Sequence, residues 1–380
     1  MTAVNQFEKY FLRDNPFSIT PAPGVEIWAD RDGLKKEVEN LLMNMLASTP
    51  SKLAACFWGD WGTGKTHMSS YFSRPGALKK YSIAVGVNEP FSLHMFMPIR
   101  DIIDSLYFGI LDTIGVTALK KTIESILPRK VSSPQASIDR LMPLLQDRNL
   151  AVAFLGSERL LEAYLYQTAT VKELRQLGVP RELSIDSDKL KVLRAVFNLL
   201  TQSNSRIIIW LDDVERIGEI SGNDISEFQV FFRDLLDYVP NNLNVVMLFT
   251  LTPGQKVEDM LSYVGDALRS RIYHVIQVQD MTRTEFVKYV ADMLSFFRVH
   301  KGEKKIDEYF PIKSRAVLEY VFKRMQAKDV ELKRKGRSGQ LTLTPRNINN
   351  IFSQLLEMGL RDPKVRTIDN SMVDELMVRF

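Results

Sequence analysis

One stretch of the sequence, Gly59-Asp60-Trp61-Gly62-Thr63-Gly64-Lys65-Thr66, fits the pattern G-x-x-x-x-G-K-[ST] at every defined position. The residues before it, 53–58, are mostly apolar and predict a short buried strand. Residues 67–73 can open a helix. Strand, glycine loop and helix start are the context that a phosphate-binding loop (P-loop) requires. We therefore expect this stretch, together with His67 at the helix start, to bind the phosphates of a nucleotide.

The chemistry of the P-loop lies in its backbone and in two side chains. Glycines adopt dihedrals that other residues resist, so successive N–H groups can point inward and form a nest for anions. The start of the following helix adds the positive end of its dipole at the same place. Lys65 would supply a charge for the β- and γ-phosphates, and Thr66 a hydroxyl for Mg²⁺. The stretch thus predicts binding of a nucleoside triphosphate with Mg²⁺.

Composition sets broad limits on the protein. The 380 residues allow two or three domains, and 45% hydrophobic and 25% charged residues are ordinary for a globular chain. The net charge of +4 permits nucleic-acid binding without arguing for it alone. The single cysteine, Cys56, excludes a disulfide framework within the chain, which favours the cytoplasm. No run approaches 18 apolar residues, so no membrane helix is expected.

The rest of the chain alternates predicted strands and helices. Because apolar strand patterns are separated by helical ones, they indicate an α/β fold with a doubly wound parallel sheet. Residues from about 98 to 203 have helical spacing almost throughout, which predicts a helical insertion between two strands. The further predicted strands lie at 81–87, within 206–216, at 243–252 and at 273–278.

Three domains are expected from this pattern. Residues 1–30 form an N-terminal arm, 31–280 the P-loop domain with its insertion, and 281–380 a C-terminal helical lid domain. Thr344-Pro345 predicts the start of one lid helix, because threonine caps helices and proline suits the first turn. The helices predicted in the lid are 282–297, 312–328, 345–359 and 371–379.

Acids follow one predicted strand, and a threonine ends the next. Asp212 and Asp213 come after four apolar strand residues, where one acid can hold Mg²⁺ and the next can orient the attacking water. Glu215 is also close enough to serve as the base. Thr250 or Thr252 could touch the γ-phosphate or that water, or could merely satisfy strand-end backbone groups. The four histidines show no metal-ligand spacing.

Arginines and lysines suggest contacts with phosphates. Arg269 and Arg271 precede the last strand, where an arginine can stabilise the transferring phosphoryl group in a neighbouring subunit or form a salt bridge at a helix end. Arg346 opens a lid helix from which it could reach the nucleotide. A basic stretch is either a solvated helix end or a DNA-contacting loop. Its cations are Lys323, Arg324, Lys328, Lys333, Arg334, Lys335 and Arg337.

Together these features resemble an AAA+ ATPase over roughly residues 25–355, including Ser270-Arg271-Ile272 and Pro345-Arg346. The segment 30–38 resembles the one that lines the adenine pocket in the initiator branch, that of origin-recognition ATPases and ATPase regulators of transposition. The resemblance implies a P-loop NTPase fold, ATP hydrolysis with Mg²⁺ held by Thr66 and Asp212, and catalytic roles for Asp213, Glu215, Arg271 and Thr250. It further implies a homo-oligomeric ring or filament with ATP between subunits, acting on duplex DNA or a DNA-bound protein.

The chain departs from the AAA+ pattern, in which the second acid is usually glutamate. Here Asp213 is shorter, so either hydrolysis is slow or Glu215 acts instead. Three segments, 59–66, 211–216 and 344–347, also resemble KAP-type P-loop ATPases, many of which carry membrane helices in the insertion. That resemblance implies the alternative of a KAP-type or defence-related signalling switch that does not bind DNA directly. A small-molecule kinase is a third alternative, which the long insertion and helical lid disfavour.

Overall fold

The structure is a computed structural model. It describes residues 6–18, 27–29, 31–47, 54–127, 133–238, 242–252, 255–299, 306–336 and 341–380, so Arg337 of the basic stretch lies outside the described residues. The chain divides into two compact units. The first contains the described residues within 1–37, 59–71 and 278–380, and the second those within 38–58 and 72–277.

The second unit is built around a five-stranded sheet in the order β2-β3-β4-β1-β5. The pairs β1/β5, β2/β3 and β3/β4 are parallel, which confirms the predicted α/β class. Because the strands are parallel, the carboxyl ends of β3 and β4 lie at the same edge of the sheet as that of β1. The strands are β1 (Ala54–Gly59), β2 (Phe91–Phe96), β3 (Ile207–Asp212), β4 (Leu243–Thr250) and β5 (Ile272–Gln277).

Helices surround this sheet and fill the predicted insertion. The strand β3 is buried along its whole length, as expected of a continuous apolar run with both faces covered. Helices α4 to α10 supply much of the same hydrophobic core. In chain order, the helices before the lid are α1 (Asp32–Ala47), α2 (Lys65–Phe72), α3 (Lys79–Val85), α4 (Ile102–Ile114), α5 (Val116–Ile126), α6 (Pro134–Leu145), α7 (Arg148–Leu155), α8 (Glu158–Leu165), α9 (Val171–Leu177), α10 (Asp186–Gln202), α11 (Gly222–Tyr238), α12 (Val257–Tyr263) and α13 (Asp266–Arg269), and all of α2 except Phe72 belongs to the first unit.

The length and hydropathy of these helices bear on membrane insertion. Within the described ranges, none of the helices is both long and apolar enough to cross a membrane on its own. The pair α4 and α5 reaches the required length and composition only when taken together, and it bends by 63°.

One predicted strand is wrong. The sequence predicts a strand at residues 81–87, but α3 occupies Lys79–Val85 and the next strand is β2 at Phe91–Phe96. The run ends at Gly86, which has a φ of +75° and closes the helix through its N–H. Tyr81 and Ser82 face the core whereas Ile83 is 69% exposed, so the side chains do not alternate as a strand requires.

The first unit has its own hydrophobic core, formed by lid helices and the N-terminal segment 6–18. Phe17 packs on Phe352 with ring centroids 5.1 Å apart, and Asn15 donates to Ser353 at 2.8 Å. The Nζ atom of Lys9 donates to the carbonyl of Gly359 at 2.7 Å. The N-terminal segment therefore packs on the lid. The predicted lid helices correspond to α14 (Arg283–Phe297), α15 (Arg315–Arg334), α16 (Pro345–Arg361) and α17 (Asn370–Val378).

Candidate functional site

The P-loop follows β1 directly and has the backbone that an anion nest needs. Gly62 and Gly64 have φ values of +82° and +95°, in the left-handed region that glycine tolerates best. A Cβ on Gly59 would lie 2.5 Å from the carbonyl oxygen of Val278, so this position has no room for a side chain. The N–H of Met68 donates to the carbonyl of Gly64 at 2.9 Å and starts α2. The predicted sequence of strand, glycine loop and helix is present.

Lys65 lies inside the P-loop. Its side chain is 5% exposed, and Nζ donates to the carbonyls of Gly59 and Asp60, each at 3.0 Å, and to Thr63 Oγ1 at 3.2 Å. A buried ammonium needs such partners, because burial without them would be costly. The loop thus holds one positive charge, which would attract a phosphate chain. Thr66 follows in the first turn of α2.

The lid helix α16 begins against the P-loop. The guanidinium carbon of Arg346 is 4.9 Å from the ring centroid of Trp61, and the Arg346 N–H donates to Gly62 O at 3.4 Å. The Thr344 hydroxyl caps the helix by accepting from the Asn347 N–H, as its sequence predicts. The structure therefore places Arg346 beside the loop, and its contact with a nucleotide stays a prediction.

His67 faces the segment before α1. Its Nε2 atom lies 2.9 Å from the carbonyl oxygen of Ile27. The ring centroid is 6.3 Å from that of Trp28 and 6.4 Å from that of Tyr71, and the Trp28 and Tyr71 rings meet edge-on at 5.3 Å. His67 belongs to an aromatic cluster on one side of α2. A role for it in nucleotide binding remains a prediction.

In the second unit, Asp212 ends β3 and is almost fully buried, with 1% of its surface exposed. One carboxylate oxygen accepts from the Asp213 N–H at 2.9 Å, and the other lies 3.4 Å from Nε2 of His94. Sequence reasoning missed the contact with His94. It depends on the pairing of β2 with β3, and the sequence pattern predicts the strand before the insertion at the wrong residues.

Glu215 and Asp213 lie in different surroundings. Asp213 has a φ of +52° and precedes a 3₁₀ helix, Val214–Glu219. Glu215, on that helix, accepts from the Thr250 N–H at 2.8 Å. Burial raises the pKa of the Glu215 carboxyl, and the charge of Asp213 adds to that effect. Of the two candidate threonines, Thr250 ends β4 beside Glu215, whereas the N–H of Thr252 donates to Gln255.

Arg271, directly before β5, forms an ion pair with Asp237 of α11, with 3.1 Å between Nη2 and Oδ1. This is the helix-end salt bridge considered as the alternative role for this arginine. The pair is partly exposed, and such pairs typically stabilise a protein by about 1 kcal/mol or less. Arg269 ends α13 and is exposed. Action of Arg271 on a neighbouring subunit remains a proposal.

The basic stretch runs along the C-terminal half of α15 and carries its own counter-charges. Among the described residues, Arg324 pairs with Asp374 at 3.1 Å and Lys328 with Glu331 at 3.2 Å. Lys333 pairs with Asp329, and Lys335 with Glu331, each at 2.5 Å. These pairs compensate part of the positive charge that the sequence suggested for DNA.

Arg31 is a second site residue that sequence reasoning missed. Its guanidinium donates from Nη1 to the carbonyl oxygen of Thr63, in the P-loop, at 2.6 Å. The sequence offered one signal, an arginine immediately before α1 in the segment that resembles an adenine-pocket lining. Nothing in that signal specified a contact with Thr63.

Comparison with protein families also identifies a P-loop domain. Residues 34–228, a little more than half of the chain, match the family model described as KAP family P-loop domain. No significant relative was found among curated proteins.

Solved structures are similar in fold at low identity. The ORC2 protein of Aeropyrum pernix in its ADP form is 13% identical with a TM-score of 0.52, over 97% of this chain and 73% of that one. The structure of the same protein in its ADPNP-ADP complexes is 14% identical with a TM-score of 0.49, over 96% of this chain and 71% of that one. A chain of the HORMA:CdnC:Trip13 complex of E. coli MS115-1 is 7% identical with a TM-score of 0.46, over 93% of this chain and 89% of that one. The ADP form of ORC2 supports the predicted P-loop NTPase fold.

Proposed function

Because the chain belongs to the KAP family of P-loop domains, we propose that it binds ATP with Mg²⁺ at residues 59–66 and hydrolyses it to ADP and phosphate. The observation that carries this proposal is the buried ammonium of Lys65 inside a loop with two left-handed glycines, Gly62 and Gly64. A positive charge held within a glycine loop at a helix start is what a triphosphate chain requires.

Magnesium fits the residues proposed for it. Mg²⁺ prefers oxygen ligands and usually keeps several waters, binding through one or two protein groups plus the phosphates. The Thr66 hydroxyl and the Asp212 carboxylate would supply those protein groups, and the ion would neutralise charge on the phosphates. No cluster of three histidine, cysteine or acidic residues suited to a metal occurs in the part of the chain that the structure describes.

Hydrolysis needs a group that orients water. We propose Asp213 for this role, because it directly follows the proposed Mg²⁺ ligand and the residue is half-buried. Glu215 is the competing candidate, since a carboxyl with a raised pKa is a better proton acceptor. One oxygen of Glu215, Oε2, accepts from the Thr250 N–H, and neutralising each acid in turn decides between the two candidates.

Two downstream roles follow from ATP binding. In the first, the chain assembles into a ring or filament with ATP between subunits, Arg271 acts in trans, and the basic stretch of α15 contacts duplex DNA or lies near a DNA-bound partner. In the second, the chain is a signalling switch that changes its protein partners on binding ATP without contacting DNA. The KAP family match and the ion pairs along α15 favour the second role.

Titration with a fluorescent ATP analogue tests nucleotide binding. Lys65→Ala should abolish tight binding, because it removes the charge that faces the phosphates. Lys79→Ala is the matched control, since Lys79 is an exposed lysine at the start of α3 and should leave affinity unchanged. Equal affinity of the wild type and the Lys65 variant would contradict the proposed function.

A further inference from the structure

We propose that Arg31 is a positioning residue for the phosphate-binding loop. Its guanidinium holds the Thr63 carbonyl so that the next amide, the N–H of Gly64, is directed toward the phosphates. This inference rests on the proposed function, because it concerns the same nucleotide site. It assigns a task to a residue outside the P-loop pattern, in a segment whose resemblance suggested contact with the base instead.

The geometry of Arg31 is that of a two-point clamp. Only 8% of the residue is exposed. The Nη1 atom donates to the carbonyl of Thr63 at 2.6 Å, and Nη2 donates to the carbonyl of Gln279. A guanidinium presents its donors in a rigid planar fork, so the two bonds fix the positions of both oxygens relative to each other. Arg31 therefore ties the P-loop to the segment that follows β5.

The bond to Thr63 acts on a peptide plane that would otherwise turn easily. The planar trans peptide between Thr63 and Gly64 directs its C=O and its N–H to opposite sides. Gly64 has a φ of +95°, and the lack of a Cβ lets this residue accept other values as well. A rotation of this peptide would point the carbonyl into the nest and repel phosphate. Holding the carbonyl from the outside prevents that rotation.

The backbone of Arg31 has an unfavourable conformation, which the fold retains together with the bond to Thr63. Arg31 has a φ of +62°, in the left-handed region that non-glycine residues rarely adopt. Its carbonyl accepts the first helical bond of α1, from the Lys35 N–H at 2.9 Å. The residue is thus anchored on one side by the helix start and on the other by the P-loop. Strain retained by a buried residue beside a ligand loop is typical of a functional constraint.

Affinities for phosphate-bearing ligands test this role. Arg31→Gln should raise the Kd of ADP and of inorganic triphosphate by a similar factor, about tenfold or more, because both ligands lose the contact that the Gly64 amide would make with a phosphate. Both are measured by competition against a fluorescent ATP analogue. Arg31→Lys should recover part of the affinity, since one ammonium can still reach one carbonyl.

Arg298→Gln is the matched control. The guanidinium of Arg298 also donates to backbone carbonyls, those of Asp307 at 2.6 Å and Phe310 at 2.7 Å, and neither belongs to the P-loop. It should lower the melting temperature without changing the Kd of either ligand. If Arg31→Gln fails to fold, the test uses Arg31→Lys instead, and its Kd values for ADP and triphosphate should both lie above those of the wild type.

The possible outcomes separate this inference from the proposed function. If the wild type binds ATP and the folded Arg31 variants bind ADP and triphosphate as tightly, the inference is overturned while nucleotide binding stands. A rise in Kd for ADP with none for triphosphate also overturns it, because the effect would then come from the base. If the wild type binds no better than Lys65→Ala, the proposed function itself fails.

Discussion

The carboxylate of Glu215 accepts a hydrogen bond from the backbone N–H of Thr250 at 2.8 Å, which ties the 3₁₀ helix after β3 to the end of β4. The bond gives neighbouring acids different surroundings. Asp212 is buried at the end of β3, Asp213 follows it in a left-handed conformation, and Glu215 is engaged by an adjacent strand. The assignment of roles among these acids can therefore be tested by neutralising each in turn.

Asp213→Asn should keep ATP binding and reduce hydrolysis by about 10²- to 10⁴-fold, the usual contribution of a general base. Binding persists because Asp212 remains available for Mg²⁺. Phosphate release at saturating ATP measures turnover, and a nucleotide titration confirms occupancy. Glu215→Gln is the comparison and should have the smaller effect. If Glu215→Gln stops turnover while Asp213→Asn does not, Glu215 is the base.

Glu215→Gln should also change how stability depends on pH. The native protein binds the Glu215 proton more tightly than the unfolded chain does, because burial raises the pKa of this carboxyl. Ionisation therefore lowers native stability as pH rises above the ordinary glutamate value of about 4.3. Glutamine carries no charge and can still accept from Thr250. The variant should melt above the wild type at pH 8, and the difference should vanish near pH 4.

Glu219→Gln is the control for that experiment, because Glu219 is an exposed acid on the same 3₁₀ helix. Melting curves from pH 4 to pH 8 compare the three proteins. A Glu215 variant that melts below the wild type at pH 8 would show that the charged carboxylate is stabilising there.

Gly62→Ala should weaken nucleotide binding far more than backbone strain alone would, because the added methyl group also meets Arg346. Its Cβ would lie 2.7 Å from the Cβ of Arg346, and its φ of +82° is unfavourable for alanine by about 1–2 kcal/mol. Gly76→Ala isolates the backbone effect, since Gly76 has a φ of +81° and no described atom within 4 Å of the added carbon. Melting temperature and ATP affinity are measured for both. If both variants lose ATP affinity equally, the contact with Arg346 does not account for the effect of Gly62→Ala.

Arg271 should act on the nucleotide of a neighbouring subunit. Mixing Arg271→Ala chains with Lys65→Ala chains, each inactive alone, should restore part of the ATPase activity, because some interfaces then combine the intact halves. Asp237→Ala serves as a control, as it breaks the ion pair of Arg271 but leaves the arginine in place. The absence of recovery at every ratio, with mixed assemblies demonstrated, would assign Arg271 a structural role.

If the basic stretch contacts DNA, it should do so through phosphates. Neutralising Lys333, Arg334, Lys335 and Arg337 together should then lower the log–log salt slope by about 0.9 for each phosphate that the variant no longer neutralises. Duplex affinity is measured at several salt concentrations with an ATP analogue. In the control variant, the same charge is removed from the exposed cations Lys79, Lys121, Lys172 and Arg175.

Two results would decide against a DNA role for this stretch. An unchanged salt slope in the quadruple variant would remove the basic stretch from any DNA interface. A wild-type protein that binds no duplex even at low salt would favour the signalling switch.

The sequence by itself determined the P-loop, the strand before it and the acids after β3. These features are local, since each depends on residues within about ten positions, and a fixed spacing suffices to recognise them. The helical lid was equally legible, because helical periodicity and the capping pair Thr344-Pro345 are local signals. The position of β2 could not be predicted from the sequence, because a short run such as 81–87 fits a helix as well as a strand. In the structure this run is helical and ends at Gly86.

Only the tertiary structure decided which distant residues meet. His94 reaches Asp212 through the register of β2 on β3, across the whole helical insertion. Glu215 meets Thr250 because β3 and β4 are neighbours in the sheet. Arg31, whose own backbone adopts a left-handed conformation at the start of α1, donates to the carbonyl of Thr63, 32 positions further along the chain. Such contacts depend on strand register and single dihedral angles, and these are set by the packing of the whole fold rather than by local residue pattern.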